Sequence, residues 1–418
     1  MKKTDIAVIG AGPAGLMAAI SASVRGANVC LLEKNPALGR KLLLTGNGRC
    51  NFTNTAPLES FISKFGRNGK FLRDAYNCFP PSVLMGFFEK RGLACRVEGG
   101  GRVFPSTERS SDILAVLERE TVNLNVKTLV KEPVSDLVVK SGSISGVKLS
   151  GGGTLSCRAV ILATGGVSYP STGSTGDGFR MARQTGHSFL PPKAGLVPIV
   201  VKENHPSRLK GVSLCGVAVT VISGGKKIKK EKGDVIFTAK GLSGPAVLSA
   251  SGSIADELSG GKEVFLELDL FPDSRLEEIS DIIASYSKTS PSRRLKNCFN
   301  DSIPKRLAEF LVSLSLSDGE KTCNQITRSE KFELARLFKA LRFTVTSTCP
   351  IDEAMVTVGG ISLGEIDPKT MSSRIVEGLY FAGEIIDVDG DTGGFNLQAA
   401  FSTGYLAGIS SAELVLKS

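Results

Sequence analysis

Six residues close to the N-terminus combine the types and the spacing that bind a dinucleotide phosphate. They are Gly10-Ala11-Gly12-Pro13-Ala14-Gly15, a G-x-G-x-x-G pattern between an apolar run at 4–9 and a stretch with helical apolar spacing. In this setting Gly10 permits a tight turn, Gly12 allows the backbone to approach a pyrophosphate, and Gly15 allows the helix to pack closely on the strand. The phosphates would lie at the helix N-terminus, where backbone N–H groups have no partner within the helix.

An acidic residue completes this pattern. Glu33 follows the next apolar run, at 28–32, and lies 23 residues after Gly10. A carboxylate in this position accepts hydrogen bonds from both ribose hydroxyls and repels a 2′-phosphate. The N-terminal sequence therefore predicts a βαβ unit that binds FAD or NAD, and the glycine pattern alone does not distinguish these two.

The C-terminal part of the chain favours FAD. The apolar run at 378–382 ends in Gly383-Glu384, and the glycine pair at 393–394 opens a helix. In FAD-binding Rossmann proteins such a second element closes over the extended cofactor. Its acidic residue accepts a hydrogen bond from a cofactor hydroxyl, and the positive end of its helix faces the pyrimidine edge of the flavin. Ala400, Gly404 and Gly408 give this helix a small face for close packing, and Ala163-Thr164-Gly165-Gly166 is expected to pack on the same cofactor.

The loop at 39–54 has the composition of an anion-binding segment, because it mixes glycines with basic and amide residues. Arg40, Lys41 and Arg49 could contact the diphosphate, or stabilise negative charge on a reduced flavin or on a substrate. Cys50 has no partner thiol nearby in sequence, so a redox role for it is the less favoured interpretation.

Three blocks resemble the BaiN/YhiN-type flavoproteins, a group that includes aminoacetone-oxidase-like enzymes and is described as NAD(P)/FAD-dependent oxidoreductases. They are 39–54 (GRKLLLTGNGRCNFTN), 237–246 (FTAKGLSGPA), and a third that runs from 356–361 (VTVGGI) through Thr370-Met371 to 396–398 (NLQ). The resemblance covers the whole chain and implies an FAD domain built from both chain ends, a β-barrel-like insertion and a small helical subdomain. The chain departs from the family pattern at Ala239, where a histidine is usual, and at 372–374.

The candidate site follows from these motifs. The flavin itself is expected to carry the chemistry, with Arg49, Asn51 and Asp391 as candidate catalytic residues and no metal. The predicted cofactor-binding residues are Gly10, Gly12, Pro13, Ala14, Gly15, Glu33, Lys34, Arg40, Lys41, Thr45, Gly46, Asn47, Gly48, Arg49, Cys50, Asn51, Val130, Ala163, Thr164, Gly165, Gly166, Gly383, Glu384, Gly393, Gly394, Phe395, Asn396 and Leu397.

The predicted fold class is α/β, an FAD-binding Rossmann-type domain with a β-meander at 134–157, interrupted by the insertion. Composition changes place the FAD-binding domain at 1–190 and 350–418, an inserted β-rich domain at 191–273 and a helical subdomain at 274–349. Helices are expected near 81–91 and 110–120. A lysine-rich run at 226–232 follows Gly224-Gly225 and is expected at the tip of a hairpin.

Bulk composition limits the remaining choices. The 418 residues are 41% hydrophobic and 22% charged, so the chain can bury more than one core. The N-terminal sequence lacks the features of a signal peptide, and no run of eighteen apolar residues is present, so we expect a cytoplasmic protein without a membrane partner. Nine cysteines without a Cys-x-x-Cys motif indicate reduced thiols, and only two histidines are available for a metal site or a general base.

The sequence therefore predicts an FAD-dependent oxidoreductase that transfers a hydride through flavin N5 to or from a small organic substrate. NAD(P)H is an optional, transient donor, because the chain has no second G-x-G-x-x-G motif. The alternative is an RNA-modifying or nucleic-acid-binding flavoprotein, which the net charge of +10 permits. Five tyrosines and no tryptophan leave few aromatic rings for base stacking, so nucleic acid is the less favoured partner. A flavin-bearing sensor without turnover is a third class, and the oligomeric state is left open.

Overall fold

Two compact units make up the protein. The computed structural model describes residues 2–316 and 318–417. Unit 1 comprises the chain up to Gly195 and from Ala354 onward, and unit 2 comprises Leu196–Glu353. Each unit has its own hydrophobic core.

Unit 1 begins with alternating strands and helices. In chain order they are β1 (Lys2–Lys3), β2 (Ile6–Ile9), α1 (Pro13–Val24), β3 (Val29–Leu32), α2 (Arg40–Leu44), β4 (Thr53–Asn54), α3 (Leu58–Ser63), α4 (Arg73–Cys78), α5 (Pro81–Glu89), β5 (Cys95–Val97), β6 (Arg102–Pro105), α6 (Ser110–Asn123), β7 (Lys127–Leu129), β8 (Val134–Lys140), β9 (Ser143–Leu149), β10 (Thr154–Ser156), β11 (Ala159–Leu162), α7 (Asp177–Gln184) and β12 (Lys193–Gly195).

Unit 2 and the return of the chain to unit 1 follow. Unit 2 contains β13 (Ile199–Val201), α8 (His205–Arg208), β14 (Ser213–Ser223), β15 (Lys226–Phe237), β16 (Gly241–Ser243), α9 (Pro245–Ser259), β17 (Val264–Asp269), α10 (Leu276–Thr289), α11 (Lys305–Ser315), α12 (Arg328–Lys339) and β18 (Leu341–Thr348). The returning segment contains β19 (Val356–Val358), β20 (Leu379–Phe381) and α13 (Phe395–Lys417).

A five-stranded sheet with the order β20-β11-β2-β3-β7 forms the centre of unit 1, and all of its pairings are parallel. The sequence predicts four of its strands, β2, β3, β11 and β20, as apolar runs. All four are buried throughout because helices cover the sheet. The sheet confirms the Rossmann-type prediction. The strand β7 was not predicted, because a run of three residues, Lys-Thr-Leu, carries no apolar periodicity.

Helices α1 and α13 pack against each other through small residues. A Cβ placed on Gly404 would overlap the carbonyl oxygen of Ala14, and one placed on Gly408 would overlap that of Ala18. Close approach of two helices requires such positions, as the sequence indicated for Gly404 and Gly408. The N-terminal and C-terminal segments of the chain thus share one core.

Three smaller sheets complete the described part of unit 1, and one of them is the antiparallel pair of β12 and β19. Strands β8, β9 and β10 form the predicted meander, and the short β1 extends it in parallel with β10. A second sheet with the order β4-β6-β5 carries the end of the 39–54 loop on its edge strand β4. In the chain, the β4-β6-β5 sheet lies between β3 and β7, and the meander lies between β7 and β11.

Unit 2 contains a closed barrel with the strand order β13-β16-β15-β14-β17-β18, as the family resemblance implies. The lysine-rich run lies along β15 itself and not at a hairpin tip, because Gly224 and Gly225 alone form the turn between β14 and β15. Strand β18 closes the barrel, although it belongs to the range predicted as helical. Helix α9 has no counterpart in the sequence prediction, and the Gly244-Pro245 pair that starts it was its only local signal.

The remaining helices of unit 2 are α10, α11 and α12, which agree with the helical composition of 274–341. In the part of the chain that the model describes, no helix combines the length and the apolar character needed to cross a bilayer.

Candidate cofactor site

The carboxyl ends of the parallel strands bring the predicted motifs together. Strand β2 ends at Ile9, directly before the glycine turn, and β3 ends directly before Glu33. Strands β11 and β20 end directly before Ala163 and Ala382. Since parallel strands end at one edge of a sheet, motifs from four chain segments lie along this edge, which is where open α/β sheets bind their ligands.

The glycine turn has the geometry that the sequence predicts for Gly10 and Gly15. Gly10 adopts φ +99°, and a Cβ on it would lie 2.5 Å from the carbonyl oxygen of Ala163. A Cβ on Gly15 would overlap the carbonyl oxygen of Gly10. Both positions therefore exclude any side chain, because the turn, the helix and the neighbouring strand meet there.

Gly12 behaves differently and fits a cofactor. It is the N-cap of α1, with Pro13 as the first helical residue and Ala14 buried behind it, and no side chain of the described residues caps the helix. A Cβ on Gly12 would find no atom of the described residues within 4 Å. An uncapped N-terminus beside open space fits the diphosphate of a dinucleotide.

Glu33 is buried and already accepts three hydrogen bonds. Its Oε2 accepts from the backbone N–H of Ala11 at 2.9 Å, and its Oε1 accepts from the backbone N–H and the side-chain amide of Asn35, both at 2.8 Å. The carboxylate is thus fixed between the glycine turn and the end of β3. This position at the strand end fits the predicted contact with ribose hydroxyls.

Lys34 and Val130 lie next to this carboxylate in the sheet. The ammonium of Lys34 donates to Asp177 at 2.6 Å and to the hydroxyl of Thr175, which ties the end of β3 to the start of α7. Burial alone would raise the pKa of Asp177, but the hydrogen bonds from Lys34 and Thr175 and the nearby positive charges together outweigh it and lower this pKa. Val130 directly follows β7, and its side chain is exposed.

Hydrogen bonds hold the segment from Gly39 to Gly48 against the glycine turn and the end of β3. The backbone N–H of Gly39 donates to the carbonyl of Ala11 at 2.9 Å, and the guanidinium of Arg40 donates to Asn35 at 2.9 Å. The hydroxyl of Thr45 donates to the carbonyl of Leu42 at 2.6 Å. The next three residues, Gly46, Asn47 and Gly48, all have positive φ.

Lys41 is at the centre of a polar network. Its ammonium donates to Oε2 of Glu384 and to the hydroxyl of Ser168, each at 2.6 Å. Oε1 of Glu384 accepts from the hydroxyl of Ser168 at 2.9 Å and from the backbone N–H of Thr357 at 2.7 Å. The network joins four separate chain segments at the edge of the sheet.

Two members of this network, Ser168 and Thr357, were not among the predicted site residues. The hydroxyl of Thr357 accepts from the backbone N–H groups of Val167 at 2.9 Å and of Ser168 at 3.2 Å. A sequence signal existed, since Thr357 lies inside the third family block and Ser168 follows the predicted Gly165-Gly166 turn. Neither residue type identifies such a role without the fold.

The predicted turn after β11 lies between these groups. Gly165 adopts φ +72°, and a Cβ on Gly166 would overlap the hydroxyl of Thr357. The side chain of Thr164 packs where α7 begins, close to Gly178. The turn is therefore held by α7 on one side and by β19 on the other.

Arg49 has partners that the sequence did not indicate. Its guanidinium lies 2.6 Å from Glu98 and 3.2 Å from Glu108, and its carbon CZ lies 4.2 Å from the ring centroid of Phe104. Arg96 binds the same two carboxylates. Two acidic residues thus neutralise Arg49 beside the β4-β6-β5 sheet. The predicted catalytic role of Arg49 would require these ion pairs to break.

Cys50 and Asn51 follow, and they differ in burial. Cys50 is fully buried with φ +61°, and burial raises the pKa of its thiol to about 12. Such a thiol is almost entirely protonated at neutral pH and is a poor nucleophile. Oδ1 of Asn51 accepts from the backbone N–H of Val103 at 3.2 Å and lies directly beneath Gly394.

The glycine turn before α13 is fixed by the first family block. The amide of Asn54 donates to the carbonyl of Gly393 at 2.9 Å, and the hydroxyl of Thr53 donates to the side-chain oxygen of Gln398. A Cβ on Gly394, where φ is +94°, would overlap the carbonyl oxygen of Thr53. The first and third blocks are therefore in direct contact.

Asn396 closes the loop that precedes this helix. Its Oδ1 accepts from the backbone N–H of Gly390 at 2.8 Å, and its amide donates to the carbonyl of the same residue at 2.7 Å. Phe395 is buried, with its ring 6.0 Å from that of Phe61, and Leu397 packs on the core of unit 1. Hydrogen bonds and ring packing within the chain therefore hold the start of α13 in place.

Besides Glu384, the loop between β20 and α13 carries three aspartates, Asp387, Asp389 and Asp391. Asp391 pairs with Lys64 at 3.2 Å, and Asp387 accepts from the amide of Asn68 at 2.8 Å. Burial, together with the charges of Asp387 and Asp391, raises the pKa of Asp389 to about 6. The candidate Asp391 is therefore ion-paired, whereas the pKa of Asp389 lies above the usual range of an aspartate.

Across residues 2–316 and 318–417, no three His, Cys, Asp or Glu side chains are grouped as metal ligands would be.

The sequence departure at 372–374 has a structural explanation, because the hydroxyl of Ser373 lies 2.7 Å from Nε2 of His187 and accepts from the backbone N–H of Val376. Burial lowers the pKa of His187. This residue pair supports a turn in the core of unit 1.

Comparisons with known proteins agree with this arrangement. The model of the family described as "HI0933-like protein Rossmann domain" matches residues 4–410. The 3-dehydro-bile acid delta(4,6)-reductase of Clostridium scindens is 33% identical over 410 residues, which cover 98% of this chain and 99% of that protein. The ribosomal RNA dihydrouridine synthase of Haemophilus influenzae is 31% identical over 407 residues, which cover 96% of this chain and 97% of that protein.

Among solved structures, the 3-ketosteroid delta1-dehydrogenase of Sterolibacterium denitrificans shares the fold with a TM-score of 0.57 at 13% identity, covering 99% of this chain and 100% of that one. The family match spans both ends of the chain, as the sequence resemblance predicted, so that resemblance is confirmed. The chain belongs to the family of HI0933-like proteins with a Rossmann domain and is a flavoprotein oxidoreductase.

Proposed function

We propose that this protein binds FAD along the carboxyl edge of its parallel sheet and uses it to reduce a carbon–carbon double bond conjugated with a carbonyl group. The substrate is a small organic molecule, and NAD(P)H acts as a transient hydride donor. When bound, FAD supplies hydride transfer at N5 of its isoalloxazine ring.

The observation that carries the proposal is the pair of glycine-opened helix N-termini in unit 1. Gly12 precedes α1 and the Gly393-Gly394 pair precedes α13, and the two helices pack together at Gly404 and Gly408. Two aligned helix N-termini supply backbone N–H groups and positive dipole ends for two separate anionic regions. FAD offers such regions in its diphosphate and in the pyrimidine edge of its reduced flavin.

The residues at this edge divide between these regions. In the proposal, Gly10 to Gly15 bind the diphosphate, and Glu33 binds the ribose hydroxyls. Lys41 and Glu384 lie beside the middle of the cofactor, and the carboxylate of Glu384 accepts a hydrogen bond from a hydroxyl of the ribityl chain. Asn51 and the first turn of α13 face the flavin end.

The class of substrate follows from what two relatives are named for. A bile acid delta(4,6)-reductase and a dihydrouridine synthase both have names that describe saturation of a double bond, in a steroid and in a uracil ring. In a 3-oxo steroid and in uracil alike, that double bond is conjugated with a carbonyl group, which makes the far carbon electrophilic toward hydride. The shared chemistry of such relatives is the reason to propose this substrate class here.

The test of cofactor binding is the flavin content of a Gly12→Val variant. Open space beside Gly12 means that valine fits the folded chain but occupies the room proposed for the diphosphate. Gly252 on α9 offers a matched control, because a Cβ there also meets no described atom within 4 Å. Wild type and Gly252→Val are expected to be yellow with one FAD per chain, and Gly12→Val colourless but folded by circular dichroism. Stoichiometric FAD in Gly12→Val would refute the proposed placement.

The test of the reaction is anaerobic reduction followed by reoxidation. NADH and NADPH are added separately while bleaching of the flavin absorbance is recorded. The reduced protein is then mixed with a conjugated 3-oxo steroid, a uracil nucleoside or a saturated analogue of each. Reoxidation by an unsaturated compound, with one substrate reduced per flavin, is expected, whereas no response to any conjugated carbonyl compound would refute the substrate class.

A second candidate function, an RNA-modifying flavoprotein, is favoured by one surface. Lys226, Lys227 and Lys230 are exposed along β15, and no described residue pairs with their ammonium groups. Lys229 and Lys232, in contrast, are paired with Glu231 and Asp273. Three unpaired ammonium groups on one strand fit a phosphate backbone.

Salt dependence of RNA binding distinguishes this candidate. A variant with alanine at Lys226, Lys227 and Lys230 is compared with one changed at three scattered exposed lysines of unit 1, Lys90, Lys140 and Lys369, so that both lose the same charge. If RNA binds β15, the first variant lowers the slope of log affinity against log salt by about 2 to 3 and the second does not. Equal slopes for both would exclude this surface.

A further inference from the structure

Two buried cysteines of unit 2 lie next to each other. The sulfur atoms of Cys298 and Cys323 are 3.3 Å apart, and both side chains are enclosed in the core around α10, α11 and α12. Both thiols are free. A disulfide bond needs about 2.05 Å between the sulfurs, so a shift of little more than 1 Å would join them.

Backbone hydrogen bonds hold the two cysteines in this register. The backbone N–H of Cys323 donates to the carbonyl of Arg293 at 3.0 Å, and that of Leu295 donates to the carbonyl of Lys321 at 3.1 Å. Arg294 and Thr322 form an antiparallel bridge between these bonds. These bonds hold the segment that precedes Cys298 against the segment that carries Cys323, so the approach of the two thiols does not depend on side-chain orientation alone.

We propose that Cys298 and Cys323 are an oxidation site, at which hydrogen peroxide converts the two thiols into an intramolecular disulfide. One sulfur attacks peroxide, the O–O bond breaks, and a sulfenic acid and one water form. The second thiol attacks this sulfur, so that the S–S bond forms and a second water leaves. Two thiols lose two electrons and two protons in total, and peroxide is reduced to two waters.

Burial makes this reaction slow in the closed fold. It raises the pKa of Cys323 to about 12, and the thiolate is the reactive form. Oxidation therefore proceeds through local opening of the 293–323 region. Once formed, the bond closes a loop that contains the whole of α11, which restricts the unfolded chain more than the folded one.

The test uses the full-length protein in a Cys215→Ser background, because Cys215 is exposed and would otherwise form bonds between molecules. The protein is incubated with hydrogen peroxide just below its thermal midpoint, alkylated, and digested with trypsin without reductant. A linked pair of peptides 297–305 and 322–328 is expected, with two hydrogens lost. The thermal midpoint of unit 2 is expected to rise by roughly 5 to 10 °C.

Two further variants keep the result interpretable. Cys298→Ala and Cys323→Ala each leave a small apolar side chain in the core, and in both the linked peptide and the rise in midpoint are expected to disappear. Recovery of both thiols in alkylated form after incubation would overturn the proposal. So would a disulfide between other cysteines, or a linked peptide with no change in the midpoint.

Discussion

The ammonium nitrogen of Lys41 lies 2.6 Å from Oε2 of Glu384, although 343 residues separate the two in the chain. Both side chains are mostly buried, each with 22% of its surface exposed. Ser168 and Thr357 donate hydrogen bonds to Oε1 of the same carboxylate. This ion pair therefore connects the N-terminal loop to the C-terminal strand at the middle of the proposed cofactor site.

Removing one member of this partly buried ion pair should lower the stability of unit 1 more than removing one member of an exposed ion pair. Glu384→Gln leaves Lys41 charged and partly desolvated, and we expect it to lower the free energy of opening of unit 1 by about 1–3 kcal/mol. Native-state hydrogen exchange of the core amides in β2 and β11 measures this free energy. Lys41→Met should have a similar effect, and the double variant should lose less than the sum of both.

The control for this cycle is the exposed pair of Arg25 and Glu413, which also lies in unit 1. Glu413→Gln should change the free energy of opening of unit 1 by less than about 0.5 kcal/mol, since solvent screens such pairs. If Glu384→Gln behaves like Glu413→Gln, or if the two site variants are strictly additive, the pair does not connect the segments energetically.

Gly394 is the second position at which a small change should have a large effect. Its φ of +94° disfavours any other residue, and a Cβ there overlaps the carbonyl oxygen of Thr53. Gly394→Ala should therefore displace the start of α13 and destabilise unit 1 by about 2–4 kcal/mol. Urea unfolding and flavin content measure the two consequences.

Gly364 provides the matched substitution. It lies in a short helical turn of the same returning segment, and a Cβ there meets only the hydroxyl of Ser362 at 3.9 Å. Gly364→Ala should leave stability and flavin content unchanged. Equal tolerance of alanine at both positions would contradict the contact between the two family blocks.

Sequence alone identifies the strands and glycine turns of this fold because both are local patterns. Buried parallel strands are continuous apolar runs, and the positions that exclude a side chain, such as Gly10 and Gly15, follow from a spacing rule. The edge on which these motifs meet could also be inferred, since strand direction fixes it. For these reasons the predicted Rossmann-type fold agrees with the structure.

The partners of the site residues could not be inferred in the same way. Arg49 was expected to face a cofactor or a substrate, but Glu98 and Glu108 reach it from a sheet that has no clear sequence signal. Ser168 and Thr357 are common residue types whose position depends on the return of the chain after unit 2. Contacts between distant segments follow from the fold and not from local periodicity.

Cys50 should be chemically inert despite its place in the first family block, 39–54. Burial raises the pKa of its thiol to about 12, so at pH 8 only about one molecule in ten thousand carries the thiolate. Iodoacetamide at pH 8 should label the exposed Cys215 in the native protein and leave Cys50 unmodified, as peptide mapping would show. Labelling of Cys50 at a rate close to that of Cys215 would restore a redox interpretation.

Asp389 should make unit 1 less stable as the pH rises. Burial and the charges of Asp387 and Asp391 raise its pKa in the folded protein to about 6, against about 3.9 in an unfolded chain. The folded state therefore holds the proton more tightly, and the stability that this provides is complete below pH 4 and is lost as the pH rises to 6. A difference of about two pKa units corresponds to at most about 3 kcal/mol.

An Asp389→Asn variant isolates this effect, because the amide stays neutral at every pH. Above pH 6 we expect it to be more stable than the wild type by about 1–3 kcal/mol in urea unfolding, and below pH 4 the difference should vanish. Asp281, an exposed carboxylate on α10, is the control, and its change to asparagine should shift stability by less than about 0.5 kcal/mol at any pH. A difference for Asp389→Asn that is independent of pH, or that grows toward acid, would show that this carboxyl group is not held neutral by its neighbours.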